Sequence, residues 1–259
     1  MTVVATSSTG STNPPNAPPN ALKNELDSWS DPELQKEKGK FSPAAKTLME
    51  LAAFDFVGRN KRNEIIDQEK ASCSPRFVKS LIYLKFSSVI VTISHDIMRK
   101  HNFALFCDRL CIMNPSLILA PQLKPGEICG NGLPWFAKIA TGKAMTEQIP
   151  NDSMSIIHCE DLAALNVLCA FPIGCDNNPE LPSGRYFGVN QSWPWEEILC
   201  AIKSRRPNYD MPPKKFDVQN PVTKFDNTRR DQLGLKTMRS ITQIMDDTIT
   251  YLEMKGVIN

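Results

Sequence analysis

Two residues near the start of the chain have the types and order that a hydride-transfer site would use, and a third position carries an unexpected residue. A short apolar strand runs into Ser7 and Ser8, and Lys46 follows in the first turns of a predicted helix. A carbonyl reductase needs a hydroxyl that binds the carbonyl oxygen and an acid that protonates this oxygen. A lysine next to a tyrosine lowers the pKa of the phenol from about 10. Ser8 and Lys46 suit the carbonyl and lysine roles, but Ser42 stands four residues before Lys46, where a tyrosine would complete the site.

Each of these residues also has a simpler interpretation. A serine after a strand is commonly a turn residue, and Lys46 could pair with Glu50 one helical turn away. Ser42 is well explained as a helix N-cap, with Pro43 in the first helical position. An aliphatic hydroxyl is a far weaker acid than a phenol, and general acid catalysis is typically worth 10²–10⁴-fold. The sequence therefore predicts a slow enzyme or none.

Strands alternate with helices along the chain, which indicates an α/β fold. An apolar helix is predicted over 43–57, and the continuous apolar run 111–119 is typical of a parallel strand that is covered on both faces. Ser240 and Gln243 have the spacing of a capping box and predict the start of the last helix. The remaining predictions are strands over 155–158, 185–189 and 222–225, and helices over 133–141, 161–171 and after a cap at Ser192.

Composition narrows the function classes. The chain has 259 residues, 41% of them hydrophobic, and a net charge of +2, so composition predicts neither a nucleic-acid nor a membrane partner. The eight cysteines form no CxxC pair and the three histidines are far apart, so no metal motif is predicted. Scattered thiols and the lack of a signal-peptide pattern favour a reduced, cytoplasmic protein. The most apolar stretch, 81–93, is shorter than the roughly 20 residues that a membrane helix needs.

The order of several motifs resembles the extended short-chain dehydrogenases/reductases of the NAD-dependent epimerase/dehydratase superfamily. The resemblance is strongest to dihydroflavonol reductases and cinnamoyl-CoA reductases, and it covers roughly residues 1–61 and 109–259. The segments that carry it are Val3 to Gly10, Trp29 to Asp31, Ala45 to Phe54, Asn114 to Pro121, Ile157 to Ala163 and Gly184 to Tyr186.

The resemblance implies a role for each matched residue. In this family the serine that matches Ser8 orients the substrate carbonyl, and the lysine that matches Lys46 holds the nicotinamide ribose. The backbone that matches Pro115, Ser116, Leu117 and Ile118 lies beside the nicotinamide. The cofactor implied is NADP or NAD, and the substrate is a small-molecule carbonyl or alcohol. His158 opens the substrate-side region, where a structural role is favoured over a catalytic one.

The chain departs from the family pattern in four places, and these set the domain prediction. Ser42 replaces the tyrosine, Ala120 replaces a glycine, the glycine-rich cofactor turn is not found, and 62–108 is longer than the family spacing requires. We expect an N-terminally truncated chain, with a remnant of the nucleotide-binding domain at 1–61. At 62–108 we expect an irregular insertion or a gene-model error. At 109–259 we expect the last core strands and the substrate-binding lobe.

These departures weaken the expected cofactor binding. The predicted fold is the C-terminal part of a Rossmann-like parallel sheet plus a small substrate-side lobe, without the first βαβ half. The sheet would then have an open edge through which the chain could self-associate. The alternative function is that of a non-catalytic fragment or pseudoenzyme that acts as an interaction protein.

Overall fold

The computed structural model describes residues 2–18, 21–69, 84–85, 90–91, 109–122, 128, 130–171 and 183–258. Its strands are β1 (Thr2–Thr6), β2 (Leu84–Lys85), β3 (Ile90–Val91), β4 (Arg109–Pro115), β5 (Leu117–Leu119), β6 (Ser153–His158), β7 (Gly184–Gly188) and β8 (Gln191–Pro194). Its helices are α1 (Pro32–Glu37), α2 (Phe41–Glu69), α3 (Gly132–Ala140), α4 (Cys159–Ala170), α5 (Trp195–Arg205), α6 (Thr228–Asp231) and α7 (Ile241–Met254).

A parallel sheet with the strand order β1-β4-β7 forms the first layer and confirms the predicted α/β class. Thr6 is opposite Met113, and Asn114 is opposite Phe187, so the three carboxyl ends lie at one edge. Helices cover both faces, as the apolar run in β4 requires. Leu110 and Ile112 pack towards Phe54 and its neighbours in α2, whereas Cys111, Met113 and Tyr186 pack with α4.

The predicted strand over 111–119 is in fact two strands in two sheets. The chain leaves the first sheet after Pro115, and β5 pairs with β6 in a second sheet of order β5-β6-β8. The prediction failed because an unbroken apolar run contains no mark of the point at which its hydrogen-bond partner changes. This second sheet and helices α3, α5 and α7 enclose a separate apolar core.

Helix boundaries differ most from the prediction in two places. Helix α2 begins at Phe41 and continues to Glu69, so it is longer than the predicted 43–57. Ser192 is not a helix cap: it lies in β8, its hydroxyl 2.8 Å from that of Ser155, and α5 starts at Trp195. The capping box at Ser240 and Gln243 is confirmed, with both reciprocal hydrogen bonds present. The run 222–225 contributes only an isolated bridge from Phe225 to Lys23.

Strand β1 is an edge strand within the described part of the chain, where it pairs with β4. All five of its residues are partly exposed. Most of the predicted loop 172–184 and most of the predicted insertion 62–108, including most of 81–93, lie outside the described residues. Among the residues that are described, no helix has both the length and the hydropathy needed to cross a membrane.

Candidate active site

Ser8 lies two residues after the carboxyl end of β1 and caps a single 3-10 turn, Thr9–Ser11. Its Oγ accepts a hydrogen bond from the backbone N–H of Gly10 at 3.1 Å. A side chain at Gly10 would meet both the Ser8 Oγ, at 3.3 Å, and Pro43 Cβ, at 3.2 Å. The Ser8 hydroxyl therefore lies beside the first turn of α2. This position is compatible with both roles predicted from the sequence, that of a turn residue and that of a hydroxyl that binds a substrate carbonyl.

Lys46 points back from α2 to the end of β1. Its Nζ is 3.5 Å from the carbonyl oxygen of Thr6, two residues before Ser8. Burial lowers the pKa of the Lys46 ammonium, and the negative charge of Glu50 opposes that shift. The structure thus brings the predicted serine and lysine to the same edge of the sheet, although they are far apart in the sequence.

Ser42 is the second residue of α2, so the prediction that it caps this helix is wrong. The N–H of Ala44 bonds to the carbonyl of Lys40, which places the start of the helix before Ser42. The Ser42 side chain is exposed. Ser42 directly precedes Pro43, the residue of α2 that lies beside the Ser8 turn.

The predicted nicotinamide-facing segment is tied to Ser8 by a residue that the sequence analysis did not select. Asn114, at the end of β4, is fully buried and donates to the Ser8 carbonyl oxygen at 3.0 Å. Pro115 then closes β4 opposite Gly188, and the exposed fraction of the Ile118 side chain is 37%. The segment Pro115–Ile118 therefore begins at the residue after Asn114, which contacts the Ser8 turn directly.

A buried carboxylate lies behind these residues and was also missed. Glu50, one turn after Lys46, is fully buried, and its Oε1 accepts from Asn114 at 2.7 Å and from the Ser11 hydroxyl at 2.5 Å. The Ser7 hydroxyl also donates to this oxygen. Its Oε2 is 3.0 Å from Arg185 Nε. The available signal was a charged residue at an inward position of an apolar element, in both α2 and β7.

His158 has a structural role. Its Nδ1 accepts from the backbone N–H of Glu160 and caps α4, and its Nε2 is 3.3 Å from Asp247 in α7. Burial and then the charge of Arg239 lower the pKa of the imidazole, which favours the neutral form that the cap needs. Within the described residues, no group of His, Cys, Asp and Glu side chains has the arrangement of a metal site.

Sequence comparisons identify reductases as relatives. No protein-family model matches the chain. Cinnamoyl-CoA reductase 1 of Arabidopsis thaliana is 30% identical over 152 residues, which are 57% of this chain and 40% of the relative. Tetraketide alpha-pyrone reductase 2 of the same plant is 24% identical over 151 residues, which are 58% of this chain and 44% of the relative. The matched region thus spans less than half of these curated relatives.

Solved structures show the same fold. Vestitone reductase from alfalfa superimposes with a TM-score of 0.63 at 16% identity, over 98% of this chain and 65% of that protein. Yeast methylglyoxal/isovaleraldehyde reductase, solved with NADPH, gives a TM-score of 0.62 at 17% identity, over 99% of this chain and 65% of that protein. At such low identity these matches establish the fold alone.

Sequence and fold agree on the class of protein. The chain is similar to the short-chain dehydrogenases/reductases of the NAD-dependent epimerase/dehydratase superfamily. The curated relatives include cinnamoyl-CoA reductases, as the motif resemblance predicted.

Proposed function

We propose that this chain carries the carbonyl-binding part of an NAD(P)-dependent oxidoreductase that interconverts a carbonyl and an alcohol on a small organic substrate. The observation that supports it is the convergence of Ser8 and Lys46 at the carboxyl edge of the first sheet. This is the edge at which open α/β sheets bind their ligands. The cytoplasmic location predicted from cysteine usage belongs to the same proposal.

The residues present fit the ribose and nicotinamide end of the cofactor, NADP or NAD. The Lys46 side chain is partly exposed at this edge of the sheet, so its ammonium could donate a hydrogen bond to a ribose hydroxyl. The backbone of Pro115–Ile118 would border the nicotinamide ring. The bound dihydronicotinamide would supply the hydride, and the Ser8 hydroxyl would donate a hydrogen bond to the substrate carbonyl oxygen.

Proton delivery is the weak step in this proposal. Ser42 occupies the position of the tyrosine, is exposed, and is too weak an acid to transfer a proton efficiently to an alkoxide. Lys46 therefore has no phenol to activate at this position. We propose that turnover is low for this reason, with Ser8 and Lys46 still able to bind and polarise the ligand.

A fluorescence titration with NADPH tests this assignment. We expect saturable binding with a Kd above about 10 μM, because the contacts proposed here reach only one end of the dinucleotide. Lys46→Met should weaken binding by about tenfold, equivalent to one lost charge-assisted hydrogen bond. Lys138→Met, at an exposed position in α3, is the matched control and should leave binding unchanged. Equal affinities in the two variants would refute the role of Lys46.

A second candidate is a non-catalytic interaction protein, and the state of β1 favours it. The strand Thr2–Thr6 contains no charge and no proline, the features that usually protect an edge strand from pairing. In this alternative the edge of β1 binds another strand, and a second copy of the chain is the simplest partner.

A further inference from the structure

The polar cluster beneath the Ser8 turn is more extensive than packing alone requires. Five segments meet in it: the turn after β1, the loop before α1, helix α2, the end of β4 and the beginning of β7. Its buried members are Ser7, Ser11, Glu50, Asn114 and Arg185. A carboxylate that is removed from water is costly unless it is paired and hydrogen-bonded. This cost makes the cluster's geometry specific, because each partner must be in place.

Arg185 neutralises the carboxylate and is itself fixed from three sides. Its Nη1 donates to the Ser28 carbonyl at 2.9 Å, and its Nη2 donates to the Ser11 carbonyl at 3.1 Å. The guanidinium lies 3.9 Å from the centre of the Trp29 ring. The Glu50 carboxylate is therefore held at one position relative to the Ser11 backbone.

Ser11 and Asn114 transmit that position to Ser8. The Ser11 hydroxyl lies 2.5 Å from Glu50 Oε1 and 2.7 Å from the Ser8 carbonyl oxygen, and it shares its one proton between these two acceptors. Asn114 Nδ2 lies 2.7 Å from the same carboxylate oxygen and 3.0 Å from the same Ser8 carbonyl. Asn114 and Ser11, which are themselves joined by a 3.0 Å hydrogen bond from Asn114 Nδ2 to the Ser11 hydroxyl, thus connect Glu50 to the backbone of Ser8.

We propose that Glu50 is a positioning residue, which fixes the Ser8 hydroxyl through Ser11 and Asn114 and sets the electrostatic environment of Lys46 one helical turn away. The effect on Ser8 follows from the contacts of Glu50 with Ser11 and Asn114. The effect on Lys46 follows because Glu50 lies one turn further along the same helix. The effect of Glu50 in raising the pKa of Lys46 is consistent with it. The catalytic meaning of this arrangement rests on the proposed function, whereas the positioning itself does not.

Amide hydrogen exchange and lysine NMR in Glu50→Gln test the proposal without cofactor or turnover. The Gly10 amide reports on Ser8, because its hydrogen bond ends on the Ser8 hydroxyl. We expect its protection to fall by about tenfold or more relative to the Ile244 amide in α7. The pKa of Lys46, followed through its Cε resonance, should fall when the negative charge is removed. A folded variant in which Gly10 protection and Lys46 titration are both unchanged would overturn the proposal.

Two further variants keep the test decisive. Glu253→Gln removes a carboxylate from a surface pair with Arg205 and should change neither signal. Ser11→Ala removes one bridge but retains the buried ion pair, so it carries the test if Glu50→Gln does not fold. It should reduce Gly10 protection, and unchanged protection there would also overturn the proposal. Failure of NADPH to bind would count against the proposed function and not against this positioning role.

Discussion

Glu50 and Arg185 form an ion pair in the interior of the protein, with 3.0 Å between Oε2 and Nε and at most 2% of either side chain exposed. The pair joins helix α2 to strand β7, and its two residues are 135 positions apart in the sequence. Helix α2 also carries Lys46. The turn that carries Ser8 contacts the pair through Ser11.

Breaking this pair should destabilise the protein strongly. Arg185→Met leaves the Glu50 carboxylate buried without its counter-charge, and we expect a loss of roughly 3–5 kcal/mol in the free energy of unfolding. Urea denaturation measures it. Arg205→Met, which breaks surface pairs with Asp246 and Glu253, is the control and should cost about 1 kcal/mol or less. Equal urea midpoints for the two variants would show that the pair does not stabilise the fold.

Introducing the missing phenol should raise the turnover. Ser42 is exposed, so Ser42→Tyr should fold normally and place an acid four residues before Lys46. We expect NADPH-dependent reduction of aldehydes or ketones, followed by absorbance at 340 nm, to increase by about 10²-fold or more over the native chain. Ser42→Phe provides the ring without the hydroxyl and should give no increase. If both variants behave alike, the gain does not arise from proton transfer.

Stability should fall as the pH rises, because of Glu25. This residue is buried, its Oε1 accepts from the Phe187 N–H at 2.7 Å, and burial raises the pKa of its carboxyl to about 7 despite the charges of Arg229 and Arg230. The folded state then holds a proton that the unfolded state loses near pH 4.5. Its contribution is complete below the unfolded pKa and is lost as the pH rises through 7.

Urea midpoints between pH 4.5 and 8 test this dependence. The expected loss across the window is on the order of 3 kcal/mol from this group. Glu25→Gln keeps the acceptor for Phe187 and cannot ionise, so its stability should vary less over the same range. If the native protein and Glu25→Gln both become more stable from pH 5 to pH 8, and by the same amount, the assignment is wrong.

The edge of β1 should mediate self-association if the interaction-protein alternative is correct. Sedimentation velocity would then show a dimer whose fraction rises with concentration. Val4→Lys places a charge in the middle of the strand and should abolish the dimer, since a charged edge resists pairing. Val218→Lys, at an exposed position outside the sheets, is the control. A monomer at all concentrations would rule out self-association through this edge.

Much of the fold could be predicted from the sequence because its signals are local. The capping box at Ser240 depends on residues three apart, and the alternation of apolar strands and helices depends on periodicity within a few turns. The split between β4 and β5 could not be predicted in this way, because Pro115 and Leu117 differ in hydrogen-bond partner and not in hydropathy. The start of α2 was predicted two residues too late. Serine followed by proline is the pattern of a helix start, but here both residues lie inside the first turn.

The sequence alone determined which chemistry is available: a serine after a strand, a lysine in a helix, and no phenol at Ser42. Only the tertiary structure decided that Ser8 and Lys46 meet at one edge, and that Glu50, Asn114 and Arg185 hold them there. The reason is that side-chain types and caps depend on neighbours along the chain. A buried ion pair, in contrast, exists only when distant segments exclude water together, and no local pattern specifies its partner.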